Sequence, residues 1–182
     1  MLVNNAGYGL FGKFDETDLD DELNMINVNV TALHILTKLF LRDFKKKDHG
    51  IILNVASAAG FMSGPLMSSY YASKNYVLRL SLAVYEELRR EKSGVSVTVL
   101  CPGPVATNFN NRAGVKFSVK PISADYAAEI ALKKAFAGKL FAIPGLFVNA
   151  GIIGSKFVPQ KMLSAVVYNI QHGKISGKDG DT

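Results

Sequence analysis

The chain has 182 residues, 48% of them hydrophobic, with six prolines and a single cysteine. That balance fits one globular domain with a substantial core and excludes a disordered or collagen-like chain. The lone Cys101 excludes an internal disulfide framework and fits a reducing, cytoplasmic setting, and Met1 leads straight into an apolar segment, so no signal peptide is expected.

The net charge of +6 is unevenly placed. Through Asn111, eleven Lys and Arg balance eleven Asp and Glu; from Arg112 on, ten basic residues face four acidic ones. These basic residues stand singly apart from Lys133-Lys134 and do not alternate with aromatics. A solvated surface is expected, with no nucleic-acid partner.

In chain order, Leu2-Val3 reads as a short buried strand, and Asn4 to Gly7 as the turn that ends it. Asp15 to Asp18 supply a helix cap and an acidic first turn, which complement the helix dipole. A long helical stretch runs to about Lys47, closed by Lys45-Lys46-Lys47 and then Gly50. Asparagine and β-branched residues at Asn27 to Thr31 are poor mid-helix choices, so a kink is expected there. Gly50 to Ala56 is a nearly continuous apolar run, as in a strand covered on both faces of a parallel sheet. Ser68 or Ser69 can cap a helix to about Glu91, ahead of Gly94. Val95 to Leu100 is short and β-branched, hence a strand, broken by Pro102-Gly103-Pro104. A helix from about Ser123 to Phe136 and a strand at Leu140 to Ile143 complete the rhythm. Strands alternate with helices, which implies right-handed βαβ units in an α/β fold.

Chemistry collects at the carboxyl ends of strands in open parallel sheets. Ser57 follows the second strand. Tyr70 and Lys74 stand four residues apart in the next helix, on one face. An ammonium beside a phenol favours the phenolate, so Lys74 is expected to lower the Tyr70 pKa from about 10 and fit it for proton transfer near neutral pH. Tyr71 is a rival, but its i+4 partner is the uncharged Asn75. His34 lies among apolar helix residues and reads as packed, Cys101 as a small buried residue. No His, Cys, Asp or Glu cluster has metal-ligand spacing.

Asn4-Asn5-Ala6-Gly7, Ser57, Tyr70-Tyr71-Ala72-Ser73-Lys74 and Pro102-Gly103-Pro104-Val105-Ala106-Thr107 together resemble the short-chain dehydrogenase/reductase family in residue type, order and spacing. The likeness is strong over roughly the first 110 residues. It implies a partial Rossmann-like, doubly wound parallel sheet that starts at the family's fourth strand. It implies a catalytic group of Ser57, Tyr70 and Lys74, with Asn29 holding a proton-relay water at a helix kink. Asn5, Ala6 and Gly7 would line the adenosine side of the cofactor NAD(P). Tyr70 and Lys74 would contact its nicotinamide ribose, and Pro102, Gly103, Val105 and Thr107 would cradle the nicotinamide and diphosphate region.

The family's opening strand, its TGxxxGxG turn and two further strand-helix units have no counterpart in the sequence, roughly 70–90 residues at about 25–30 per unit. Gly7-Tyr8-Gly9-Leu10-Phe11-Gly12 has the letters of a phosphate loop, but it follows the wrong strand and precedes acidic residues, so it reads as a connecting loop. The expectation is an N-terminally truncated chain, with NAD and NADP not distinguishable.

Residues 1–143 are expected to form the partial Rossmann-like domain, 144–171 an apolar and amphipathic segment packed on it, and 172–182 a flexible tail. The segment is too interrupted to span a bilayer; core packing or a substrate lid is the default, with peripheral membrane contact as the alternative. The functional expectation is an oxidoreductase moving a hydride between nicotinamide and a small-molecule carbonyl or secondary alcohol. Phe109, Val115 and Phe117 hint at a hydrophobic substrate, and pairing through the long helices into a homo-oligomer is implied by the family. The alternatives are a catalytically silent or interaction protein that lacks cofactor binding, and a nucleotide-sugar epimerase or dehydratase using the same residues.

Overall fold

The computed structural model describes residues 1–109 and 120–173. Four parallel strands lie in the order β1 (Leu2–Asn4), β2 (Gly50–Val55), β3 (Val95–Leu100) and β4 (Phe141–Ala142). Between β1 and β2 run α1 (Leu19–Ile26), a π-helical turn (Asn27–Ala32) and α2 (Leu33–Lys46). A short 3-10 turn (Ala58–Phe61) and α3 (Ser68–Glu91) connect β2 to β3, and α4 (Ala124–Phe136) precedes β4. The C-terminal segment forms α5 (Leu146–Ser155) and α6 (Gln160–His172).

Strand register explains why β2 reads as continuously apolar. Leu2, Ile52 and Val97 pair across the sheet and pack with Leu41 and Phe44 of α2 and Val84 and Leu88 of α3. The alternate residues Leu53 and Leu100 meet Ala131 of α4 and Ala142 of β4 on the opposite face. Both faces are covered, so both alternating sets must be apolar. At the β1 edge Val3, which shares the Leu53 face, remains half exposed. A polar network ties the layers beneath the site: Asn4 Nδ2 donates to Asn54 Oδ1 at 2.8 Å and to Thr37 Oγ1 at 3.0 Å, and Asn54 Nδ2 donates to Ser81 Oγ at 3.0 Å.

Several sequence expectations shift in detail. Asp18 caps α1, accepting from the Asp21 N–H at 3.0 Å, and Ser123 caps α4. Neither Ser68 nor Ser69 caps α3; Ser69 Oγ donates instead to Glu22 Oε2 at 2.9 Å. The left-handed residues near the ends of α2 and α3 are Asp48 and Lys92, at φ 44° and 54°, not the glycines that follow. The last strand is two residues long rather than four. The flexible tail expected at 172–182 falls, from residue 174 on, outside the described residues, as do Val115 and Phe117. Among the described residues no helix is long and apolar enough to cross a membrane.

Candidate active site

A cavity of about 620 Å³ opens over the carboxyl ends of β1, β2 and β3. Asn5 and Gly7 border it after β1, Ser57 after β2, and Pro102, Gly103, Val105 and Thr107 after β3, while α3 contributes Tyr70, Tyr71 and Lys74. Ala6 is exposed and does not line it. Asn29 lies behind the wall, 1% exposed.

The first turns of α3 bring the central pair together. Tyr70 is 8% exposed and Lys74 5%, with the Lys74 Nζ 5.9 Å from the Tyr70 ring centroid. The Ser57 side chain lies beside the Tyr70 hydroxyl and acts to lower its pKa, and Ser57 Oγ accepts from the Ala59 N–H at 3.1 Å. Lys74 Nζ donates to the Val55 carbonyl at 3.0 Å.

Burial dominates the electrostatics. It pushes the Tyr70 phenol up to about 12, only partly offset by the Ser57 side chain. It pulls the Lys74 ammonium down to about 8. The expected lowering of Tyr70 by Lys74 is therefore absent from this arrangement: burial raises the phenol, and Ser57 rather than Lys74 is the group that opposes it. The phenol is a protonated donor at neutral pH, and the lysine is still mostly charged. Cys101 is fully buried and its thiol is pushed up to about 12, which leaves it unreactive.

Asn29 explains the break in the long helix. Its Nδ2 donates to the Tyr8 carbonyl at 2.9 Å and to Ser73 Oγ at 3.1 Å, while its Oδ1 accepts from the Tyr8 N–H at 3.1 Å. The expected kink is a π-helical turn, a form that recurs at functional sites. Gly7 fits between these groups because a Cβ there would lie 3.0 Å from Asn29 Oδ1 and 3.2 Å from Lys74 Nζ. Residues 5–11 form no helix or strand, as expected of a connecting loop.

One wall residue, Gln171, escaped sequence reasoning, as did its pairing with Tyr71. Tyr71 and Gln171 border the cavity, and the Gln171 Nε2 donates to the Tyr71 hydroxyl at 2.7 Å across one hundred residues of chain. No local pattern joins them; only the folding of α6 over α3 does. His34 is half-buried and its Nδ1 meets the Tyr76 hydroxyl at 2.7 Å, away from the cavity. Among the described residues no group of three His, Cys, Asp or Glu could hold a metal ion.

The site fits a nicotinamide riboside on one observation. Lys74 has three N–H donors, and the Val55 carbonyl is the one protein acceptor it reaches among the described residues, although it is almost fully buried at the cavity wall.

A parallel sheet with helices on both faces and a cavity at its carboxyl edge defines the Rossmann-like class of α/β proteins. Within it, the chain belongs to the short-chain dehydrogenase/reductase family, whose model, described as short chain dehydrogenase, matches residues 1–118. It is 33% identical over 163 residues to a probable short-chain type dehydrogenase/reductase, VdlC, of Helicobacter pylori strain J99, covering 90% of this chain and 56% of that protein. Among solved structures, a short-chain dehydrogenase from Sphingobium yanoikuyae in complex with NADPH superposes with a TM-score of 0.76 at 30% identity, over 90% of this chain and 64% of that one. A 7β-hydroxysteroid dehydrogenase matches with a TM-score of 0.77 at 25% identity, over 91% of this chain and 64% of the other. The chain spans about half the length of the curated relatives it matches, between 41% and 56% for the Bacillus subtilis and Helicobacter proteins. Family members of this kind are NAD(P)-dependent dehydrogenases and reductases.

Proposed function

We propose that these residues form the substrate and nicotinamide side of a carbonyl reductase site, with Tyr70 as the proton donor. The observation that carries the reading is the buried Ser57–Tyr70–Lys74 group on one wall of the 620 Å³ cavity. When bound, a nicotinamide cofactor supplies the hydride. Ser57 holds the carbonyl oxygen beside the Tyr70 hydroxyl, which delivers its proton as charge develops on that oxygen. A phenol that stays protonated at neutral pH carries the proton that reduction needs. Lys74 directs its remaining N–H donors to the nicotinamide ribose and adds positive charge near the forming phenolate. Asn29 fixes the loop at Tyr8 and the α3 backbone through Ser73, so it positions Gly7 and Tyr70, and in this reading it also holds the relay water at the π-helical turn. Asn5, Gly7, Pro102, Gly103, Val105 and Thr107 border the cofactor's bed. Tyr8, Met67 and Phe109 give the substrate side an apolar lining, which supports a hydrophobic carbonyl substrate.

The test is oxidation of NADH and NADPH at 340 nm against a panel of aliphatic, aromatic and alicyclic aldehydes and ketones. The reading expects turnover with an apolar carbonyl and its loss in Ser57→Ala. No turnover anywhere on the panel, or undiminished turnover in Ser57→Ala, overturns it.

A further inference from the structure

The helices that close the cavity turn their apolar residues the wrong way for a core. On α5 and just after it, Leu146 is 86% exposed, Phe147 96% and Phe157 84%, and Ile153 is exposed on the same helix. On α6 the buried stripe is Leu163, Val167 and Gln171, while Met162, Val166 and Ile170 form a parallel outward stripe at i, i+4 and i+8. The helix thus buries a glutamine and exposes the isoleucine beside it. Single exposed apolar residues are ordinary, but large apolar side chains exposed along two consecutive helices suit a contact surface.

Charge says what kind of contact. From Ile130 to Gly173 the sequence holds five lysines and no aspartate or glutamate. Lys156 and Lys161 are exposed and flank the turn between the two helices, beside Phe157. Apolar residues that protrude from an unbroken basic stretch match an anionic lipid surface, where the chains take the phenylalanines and the headgroups take the lysines. A second copy of the chain would bring the same positive charge to the contact.

We propose that the α5–α6 face docks the protein on an anionic bilayer surface. Ile170 belongs both to the outward stripe and to the cavity wall, and the Val148 side chain of α5 packs over Gly103. Docking therefore sets the cavity rim against the lipid. Binding through this face does not depend on the reductase reading; only the delivery of an apolar substrate from the bilayer does.

The experiment is cosedimentation of the full chain with phosphatidylcholine vesicles, with and without 30% phosphatidylglycerol. Binding is expected to the anionic vesicles and to weaken between 0.05 and 0.5 M salt. Phe147→Ser/Phe157→Ser should lower the partition at least tenfold, and Lys156→Gln/Lys161→Gln on the order of 20-fold. Far-UV circular dichroism checks that the variants remain folded. No binding to anionic vesicles overturns the proposal, as does binding that both double variants retain. A dimer in light scattering that Phe147→Ser/Phe157→Ser dissociates also overturns it, since the face would then be covered by a second copy. Vesicle binding without reductase activity leaves the docking standing and removes the catalytic reading.

Discussion

Lys74 should make the protein more stable as the pH rises from 7 to 9.5, and Lys74→Met should abolish that gain. The ammonium is 5% exposed, and burial lowers its pKa from 10.5 to about 8. At about 1.4 kcal/mol per tenfold change in proton affinity, carrying the charge into the fold costs ~3 kcal/mol at neutral pH. Between pH 8 and 10.5 the unfolded chain keeps this proton while the folded chain has released it, so stability rises with pH across that window. Working the two pKa values through pH 7 and 9.5 gives a gain of ~2 kcal/mol. Tyr70 acts in the opposite sense, but only above pH 10, where the unfolded phenol ionises while the folded one stays protonated to about 12. The assay is urea unfolding at pH 7 and 9.5 for wild type and Lys74→Met, reported as a difference so that other titrations cancel. The methionine variant should be the more stable at pH 7 and lose most of that advantage by pH 9.5. A pH dependence equal in the two proteins within about 0.5 kcal/mol would refute the burial argument.

Asn29→Ala removes three hydrogen bonds from a site that is 1% exposed and should cost on the order of 3 kcal/mol in urea unfolding. Gly7→Ala would press a methyl against Asn29 and Lys74, costing about 1–3 kcal/mol, with the loss partly relieved in the Asn29→Ala background. Native Cys101, pushed up to about 12, should resist iodoacetamide at pH 8 and become reactive only in urea.

The parts legible in the sequence were those fixed by local periodicity. Gly50 to Val55 is apolar but for Asn54, and Val95 to Leu100 is mostly β-branched, so the buried parallel strands follow from the strands themselves. The Asn27 to Ala32 irregularity also follows from local chemistry, since asparagine and β-branched residues weaken the helix there. The pKa direction of Tyr70 did not follow, because spacing places Lys74 near the ring but says nothing of the depth at which both are buried. Gln171 and Tyr71 meet across one hundred residues, and no window of sequence holds both. The outward stripe on α6 was visible as an amphipathic pattern, yet the pattern alone does not say which side faces the core; Leu163 and Val167 pack inward while Met162 and Val166 do not.

The most direct test of the central claim compares Tyr70→Phe with Tyr71→Phe in NADPH- and NADH-dependent carbonyl reduction. Both phenols border the same cavity, but only Tyr70 has the Ser57 side chain and the Lys74 ammonium beside it. Tyr70→Phe should lose roughly 10²–10⁴-fold in kcat, the range of a general acid, and Tyr71→Phe less than about tenfold. Comparable losses in the two variants, or full turnover in Tyr70→Phe, would contradict the assignment of Tyr70 as the proton donor.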